Sequence, residues 1–392
     1  MKAIELLDKV SKYSLYLLAF LLPLWFLPVT QNVLVFQKQS LLIVLVFFGL
    51  VTFLAKAMSD GKIVIRTGLL YIPVGLVVLG TAISTIFSLW MYGSFWGWPL
   101  NVTDSFVTIT TFALLYVLMA NAIQDSKQLF QVLFLFIVSS AIAGVFALLQ
   151  LYGIFLIPLE LTKEVGFNTI GGPNSVAIFA AVLLPLALTL AFASKLLLRW
   201  ILWLFVAALL FTVVMINFAA AWIALIAGLL VLLAFGMWNV KKRAEFGWVS
   251  FPMAFIILAM FFTIFGVSVP GAPTTPAEVS PSQSASFDIA KSALQSSPIL
   301  GSGPGTFTYT YTQHHSAELN KTIFWGTRFG SGASELMNWV TTKGILGGIF
   351  LIGLVLSALF FGGKKLVSKN EDTFSWMMGL GAFASFVTLV VV

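Results

Sequence analysis

The sequence predicts an all-α fold: a polytopic bundle of about eleven transmembrane helices with one large extracytoplasmic loop carrying a short amphipathic helix. Three observations lead there. Hydrophobic residues make up 60% of the chain and charged residues only 9%, against about 25% charged in a typical soluble domain. A chain so poor in polar surface expects lipid as its solvent, and its 38 Phe and 12 Trp suit lipid-facing and interfacial positions. The apolar residues also gather into runs near the ~20 residues needed to cross the hydrocarbon. Finally, Lys and Arg alternate in density from one loop to the next, as cytoplasmic and external loops do.

Taken in order, the runs are 13–29, 39–58, 68–89, 105–121, 129–151, 173–194, 199–216, 219–238, 248–269, 344–361 and 373–392. The first follows Lys2, Lys9 and Lys12 and has the charge pattern of a signal peptide. No small-residue cleavage site follows it, and Pro23 and Pro28 stand where one belongs, so it reads as a retained helix. The stretch 199–238 is one apolar run of 40 residues, twice a single crossing. A turn around Asn217, its only strongly polar side chain, divides it in two. The chain reaches Val392 inside an apolar run, which predicts that further residues follow.

With these spans, the N-terminus and even-numbered loops hold fifteen Lys and Arg, and the odd-numbered loops hold six: Lys38, Lys163, Lys291, Lys321, Arg328 and Lys343. The N-terminus is therefore expected in the cytoplasm of a cell whose inner membrane the chain spans, and 270–338 outside. The organisation expected is helices one to nine in 1–269, the external loop in 270–338, and two last helices in 339–392. The formal charge of +7 resides at span edges, which excludes a nucleic-acid partner in favour of membrane lipids. The absence of Cys excludes disulfides, thiolate metal sites and cysteine nucleophiles.

Within the large loop, 270–281 is a Pro/Thr/Ser linker. Phe287, Ile289, Ala290, Ala293 and Leu294 then recur at helical spacing, predicting an amphipathic helix over 284–296 lying on the membrane face. The segment SPILGSGPGTF, 297–307, is a Gly/Pro turn. Tyr309, Tyr311, His314, His315, Glu318, Asn320, Lys321, Trp325 and Arg328 follow, the densest polar and aromatic cluster in the protein. A smaller external loop carries Glu160, Lys163, Glu164, Asn168 and the tetrad GGPN at 171–174.

SPILGSGPGTF, the downstream RFGSGASELMNWVTTKGILGGIF and the upstream GGPNSVAIFAAVLLPLAL resemble the motifs of the O-antigen ligase and polymerase superfamily, over about 100–392. The resemblance implies a membrane glycosyltransferase without cofactor or metal. Its donor would be a glycan on undecaprenyl pyrophosphate, its acceptor a glycan or glycolipid sugar. Two positions depart from the family pattern. Ala219 stands where an Arg is expected, and Ala333 and Ser334 where a His-Asn pair is expected. Other groups then supply that chemistry, or the chain is an inactive relative.

The catalytic candidates are Arg328, His314, His315 and Glu335. Arg328 is the only external Arg, and its planar fork suits a phosphate, or else a lipid headgroup. His314 and His315 are the only imidazoles, either bases or solvated loop residues. Glu335 is a substitute base, or a carboxylate stabilised at a helix start. Lys321, Lys291 and Lys163 are candidate pyrophosphate or headgroup contacts. Asn174 is a substrate contact or the cap of the sixth helix. Tyr309, Tyr311, Trp325 and Trp339 fit sugar stacking or interfacial anchoring. A transporter or flippase is the competing class, weakened by spans without internal charges. A reporter fused after Lys242 is expected in the cytoplasm and one within 280–284 outside; opposite labelling at either point refutes this topology.

Overall fold

The computed structural model describes residues 2–29, 33–62, 65–66, 68–243, 246–267, 269–368 and 372–392. Among these residues every regular element is helical. The α-helices are α1 (Lys2–Leu24), α2 (Val35–Ser59), α3 (Tyr71–Ile86), α4 (Met91–Trp96), α5 (Phe106–Ala122), α6 (Ser126–Leu151), α7 (Pro173–Ala193), α8 (Leu196–Ile216), α9 (Ala219–Arg243), α10 (Ser250–Phe265), α11 (Gln283–Ser296), α12 (Phe307–His314), α13 (Glu335–Val367) and α14 (Thr373–Val391). Each of the eleven expected spans falls on a helix. Eight of these helices are long and apolar enough to cross a membrane, whereas α3 and α5 are shorter apolar helices. The chain is a multi-pass membrane protein.

Two compact units make up the chain, both discontinuous in sequence. The first comprises Met1–Leu15, Val35–Ile123 and Val279–Ala358. The second comprises Tyr16–Leu34, Gln124–Glu278 and Leu359–Val392. Most of the segment 270–338 thus belongs with early helices far away in sequence.

The second unit is organised around α7, which packs against α8, α9 and α14. Leu184, Leu188 and Leu190 on α7 are fully buried, as are Leu225 and Trp222 on α9. A helix apolar on every side is a central one. Lipid gives apolar helices little reason to associate, so small residues do it by letting backbones approach. Gly381 of α14 lies against Leu186 and Thr189 of α7, and Gly228 of α9 against Ala384 and Thr388. A side chain at either glycine would occupy space those neighbours already fill.

The break in the 40-residue apolar run falls at Asn217, in the left-handed region at φ 52°. Its amide donates to the Val267 carbonyl at 2.9 Å and its oxygen accepts from the Trp222 indole at 2.8 Å. Trp222 in turn stacks on Phe262 at 5.0 Å between ring centres. Asn217 is a left-handed cap with both ends of its amide engaged, which is why the turn closes there.

The start of α7 corrects the capping role expected of Asn174. The cap position is Gly172, with Pro173 opening the helix. Asn174 contributes its backbone N–H, which donates to the Glu278 carboxylate at 2.8 Å. A Cβ at Gly172 would collide with that carboxylate, so the GGPN tetrad admits a glycine and a distant acid together. Asn168 caps the approach, accepting from the N–H groups of Ile170 and Gly171 at 2.8 Å each.

Replacing Gly381 with Val should separate α7 from α14. The expected loss is about 1–3 kcal/mol of stability from overpacking, read as a lower midpoint in thermal unfolding of the detergent-solubilised protein.

Candidate functional site

The first unit contains the polar cluster singled out in the sequence. That segment starts with α11, whose N-cap Ser282 accepts from the Ala285 N–H at 3.1 Å. Ile289, Ala290 and Ala293 form a buried stripe, and Ile289 packs with Phe307 and Tyr311 of α12 in a small apolar core within the loop, while Phe287 on the same helix stays 54% exposed. Phe329 closes that core edge-to-face on Tyr311 at 5.3 Å.

Between α11 and α12 the chain makes its glycine turn. Gly301, Gly303 and Gly305 all have positive φ, at 68°, 111° and 76°. That region costs a residue with a Cβ about 1–2 kcal/mol. Space forbids side chains as well: a Cβ on Gly301 would lie 2.6–2.7 Å from the backbone at Thr342 and Lys343. The turn is sewn to α13 by backbone bonds. Ser302 and Gly303 donate to the carbonyls of Thr341 and Thr342 at 3.2 and 2.7 Å, and Ile345 and Leu346 donate to those of Pro298 and Ile299 at 3.0 and 3.2 Å.

This sewing requires α13 to break. Gly344 adopts φ 66°, ψ −169°, which splits the helix into a nine-residue first section and the long apolar section beyond. Carbonyls that would have bonded along the helix are turned toward the glycine turn instead. The expected span at 344–361 therefore starts at the break itself.

Immediately before the break lies Lys343, which the sequence reading counted among the cations of the odd-numbered loops. Its side chain is 0% exposed and ion-paired with Asp104, itself 3% exposed. Asp104 also accepts from the Gly305 N–H at 3.0 Å and the Thr342 hydroxyl at 3.3 Å. One carboxylate thus receives donors from the glycine turn and from both residues before the break. Its position is set by a 3-10 turn at Val102–Asp104 and by Ser105, which caps α5. Buried Gln39 of α2 fixes that turn by donating to Thr108 at 2.8 Å and to the Trp96 carbonyl at 3.2 Å.

Along α13 the same face continues outward. The Lys343 ammonium lies 4.1 Å over the Trp339 ring, and the Trp339 indole donates to Glu335 at 2.8 Å. Glu335, Trp339 and Lys343 are four residues apart, so they line one face of the helix. The chain of contacts runs from an accessible carboxylate, through an indole, to a buried ion pair.

Beside the glycine turn is a pocket of about 340 Å³, lined by Leu89, Trp90, Leu100, Thr306, Tyr309 and Gln313. Thr306, Tyr309 and Gln313 fall on one face of α12, opposite the face that fills the small core. Leu100 is seated against Gly93 of α4 and near Gly305 of the turn.

The sequence candidates are distributed unevenly around these features. Arg328 and Lys291 are exposed and form no salt bridge among the described residues. Phe329 and Gly330, next to Arg328, are anchored: one packs on Tyr311, and the other's carbonyl accepts from Asn101 at 3.4 Å. Lys321 pairs with Glu318 at 3.0 Å and Lys163 with Glu160 at 2.6 Å, both on the surface. His315 stacks on Tyr311 and bonds its carbonyl through Nδ1 at 3.0 Å, while His314 is partly exposed at the end of α12. Trp325 is 73% exposed.

Two aromatic expectations are corrected. Tyr311 is 4% exposed, covered by Phe329 and His315, and Trp339 is 7% exposed beneath Lys343, so neither ring presents a face for sugar stacking. Burial also raises the Tyr311 phenol above its ordinary pKa. Of the four aromatic candidates, Tyr309 lines the pocket. Missed altogether were Asp104, Lys343 as a buried ion, Trp90 and Gln313. The spacing of Glu335, Trp339 and Lys343 was a readable signal for the last turns of the face; nothing local marked Asp104.

Among the described residues, no three His, Asp or Glu side chains gather as metal ligands do. No protein-family model matches the chain, and no curated protein is significantly similar to it.

Removing one partner of a buried ion pair strands the other, at about 3–5 kcal/mol. Asp104→Asn and Lys343→Met are each expected to lower the thermal midpoint strongly, and the double replacement Asp104→Leu/Lys343→Met to recover much of it. Gly344→Ala, which forces a Cβ into the Ile299 carbonyl, should destabilise the protein without touching any charge.

Proposed function

We propose that the chain is a membrane-embedded glycan ligase or polymerase. It takes a glycan from a polyprenyl-pyrophosphate donor outside the cell membrane and joins it to a hydroxyl of a glycan or glycolipid acceptor. The observation that carries this reading is the glycine turn. The segment on which the resemblance to O-antigen ligases rests is the most tightly built part of the loop, and it is sealed onto the helix that presents Glu335.

The reaction breaks the bond between the anomeric carbon and the pyrophosphate oxygen while the acceptor oxygen bonds to that carbon. The acceptor proton needs a base, and the pyrophosphate leaves with the bonding electrons and needs compensating charge. Glu335, held by the Trp339 indole, takes the proton. Arg328 meets the pyrophosphate: Lys321 and Lys163 are engaged by their own neighbours and Lys343 by Asp104, and Lys291, exposed like Arg328, offers only an ammonium. A guanidinium forks onto two phosphate oxygens as an ammonium cannot. The fifteen-to-six division of cations supports a loop on the external side, where such a donor would be displayed.

A second reading has one observation in its favour. A buried Lys–Asp pair beside a broken helix is the arrangement that transporters use near their substrate paths. Under it the chain moves a lipid-linked glycan across the membrane and joins nothing.

Purified protein in proteoliposomes with a lipid-linked oligosaccharide donor and a glycolipid acceptor separates the two. Transfer should appear as a longer acceptor, and Arg328→Ala should slow it about 30- to 1,000-fold, the loss of a charge-assisted contact of roughly 2–4 kcal/mol. Arg328→Lys should restore part of the rate and Glu335→Gln should lower it. Translocation of donor without any new glycosidic bond favours the transporter, and full activity of Arg328→Ala removes that residue from the mechanism.

A further inference from the structure

The pocket beside the glycine turn has no part in the steps above, and its lining differs from that of an anion site. Leu89, Trp90, Leu100, Thr306, Tyr309 and Gln313 include neither a cation nor a carboxylate. A pyrophosphate has nothing to bind there. The aromatic rings are also kept from the core. Trp90 is 42% exposed and Tyr309 56%, although the neighbouring Phe307 and Tyr311 on the other face of α12 are buried. Folding of α12 is satisfied by that second face, so Tyr309 and Gln313 are free of structural duty.

We infer that this pocket is a subsite for an uncharged sugar ring of the acceptor, with Trp90 and Tyr309 as its aromatic walls and Gln313 as its hydrogen-bonding group. A pyranose offers apolar C–H faces and polar edges. Aromatic rings suit the first, and the Gln313 amide, the Tyr309 hydroxyl and the Trp90 indole N–H suit the second. A volume of about 340 Å³ is at the small end of ligand sites, which run from about 300 to 1,000 Å³, and takes a mono- or disaccharide unit. An acyl or polyprenyl chain would leave the amide at the wall unmatched. The floor is rigid: Leu100 is packed on Gly93, and Thr306 follows the Gly305 whose N–H is held by Asp104. The subsite is thereby fixed to the same carboxylate that fixes α13 and, through it, Glu335.

This subsite rests on the transferase reading, yet binding can be measured without transfer. The full chain is purified in a detergent lacking a sugar headgroup and offered a panel of neutral disaccharides, chitobiose, cellobiose and lactose, by saturation-transfer NMR. Farnesol and farnesyl pyrophosphate serve as lipid and anion probes. At least one disaccharide should bind, with affinity reduced about tenfold or more in Trp90→Ala and in Gln313→Ala. Trp90→Phe should retain much of the binding, and Ile323→Ala, exposed elsewhere in the loop, all of it. Gln313 is exposed and not part of the core, so its variant tests the site even if Trp90→Ala misfolds. Three results overturn the inference: no disaccharide binds, sugar binding ignores both substitutions, or farnesol rather than sugar depends on Trp90. Sugar binding without transfer leaves the subsite standing and removes the transferase; transfer without sugar binding does the reverse.

Discussion

Asp104 carries a carboxylate into a place that water does not reach, and an isolated charge there would cost several kcal/mol. It is tolerated because three donors converge on it: the Lys343 ammonium, the Thr342 hydroxyl and the Gly305 N–H. Those groups come from the turn after α11 and from the end of the first section of α13, more than 200 residues away in the chain. Satisfying the carboxylate therefore dictates how the glycine turn and α13 meet the early helices. The break at Gly344, the three left-handed glycines and the backbone bonds between them are the geometry that brings the donors in.

The same constraint orders the outer surface. Lys343 reaches Asp104 with its side chain fully buried, and Trp339 covers the ammonium from the preceding turn. The indole N–H then points to Glu335, so an accessible carboxylate is held in place by a buried charge two turns deeper. The second unit is held differently. There, glycines at helix crossings and the fully engaged Asn217 amide organise apolar helices by close approach.

Much of the fold was legible in the sequence because lipid imposes a length and a composition on every crossing. The turn at Asn217, the α11 stripe and the Gly/Pro turn were all readable from local pattern, since each depends on neighbours within a few residues. The reading failed where a side chain's role depended on what packs against it. Tyr311 and Trp339 looked like ligand-facing aromatics, and only α11, Phe329 and Lys343 show that their faces are taken. Asn174 looked like a cap because Glu278, 104 residues on, gives no local sign that it will accept the N–H instead.

The sequence by itself determined that this protein is helical, that it lives in a membrane, and where its polar residues gather. Periodicity, run length and charge bias act over short stretches and survive without knowledge of the fold. Only the tertiary structure decided which charges are buried and paired. It sealed Lys343 onto Asp104, left Arg328 and Lys291 exposed, and brought Trp90 and Tyr309 into the lining of one pocket. Those decisions are long-range because a buried charge is stable only where distant donors meet it. No window along the chain contains both halves of that condition.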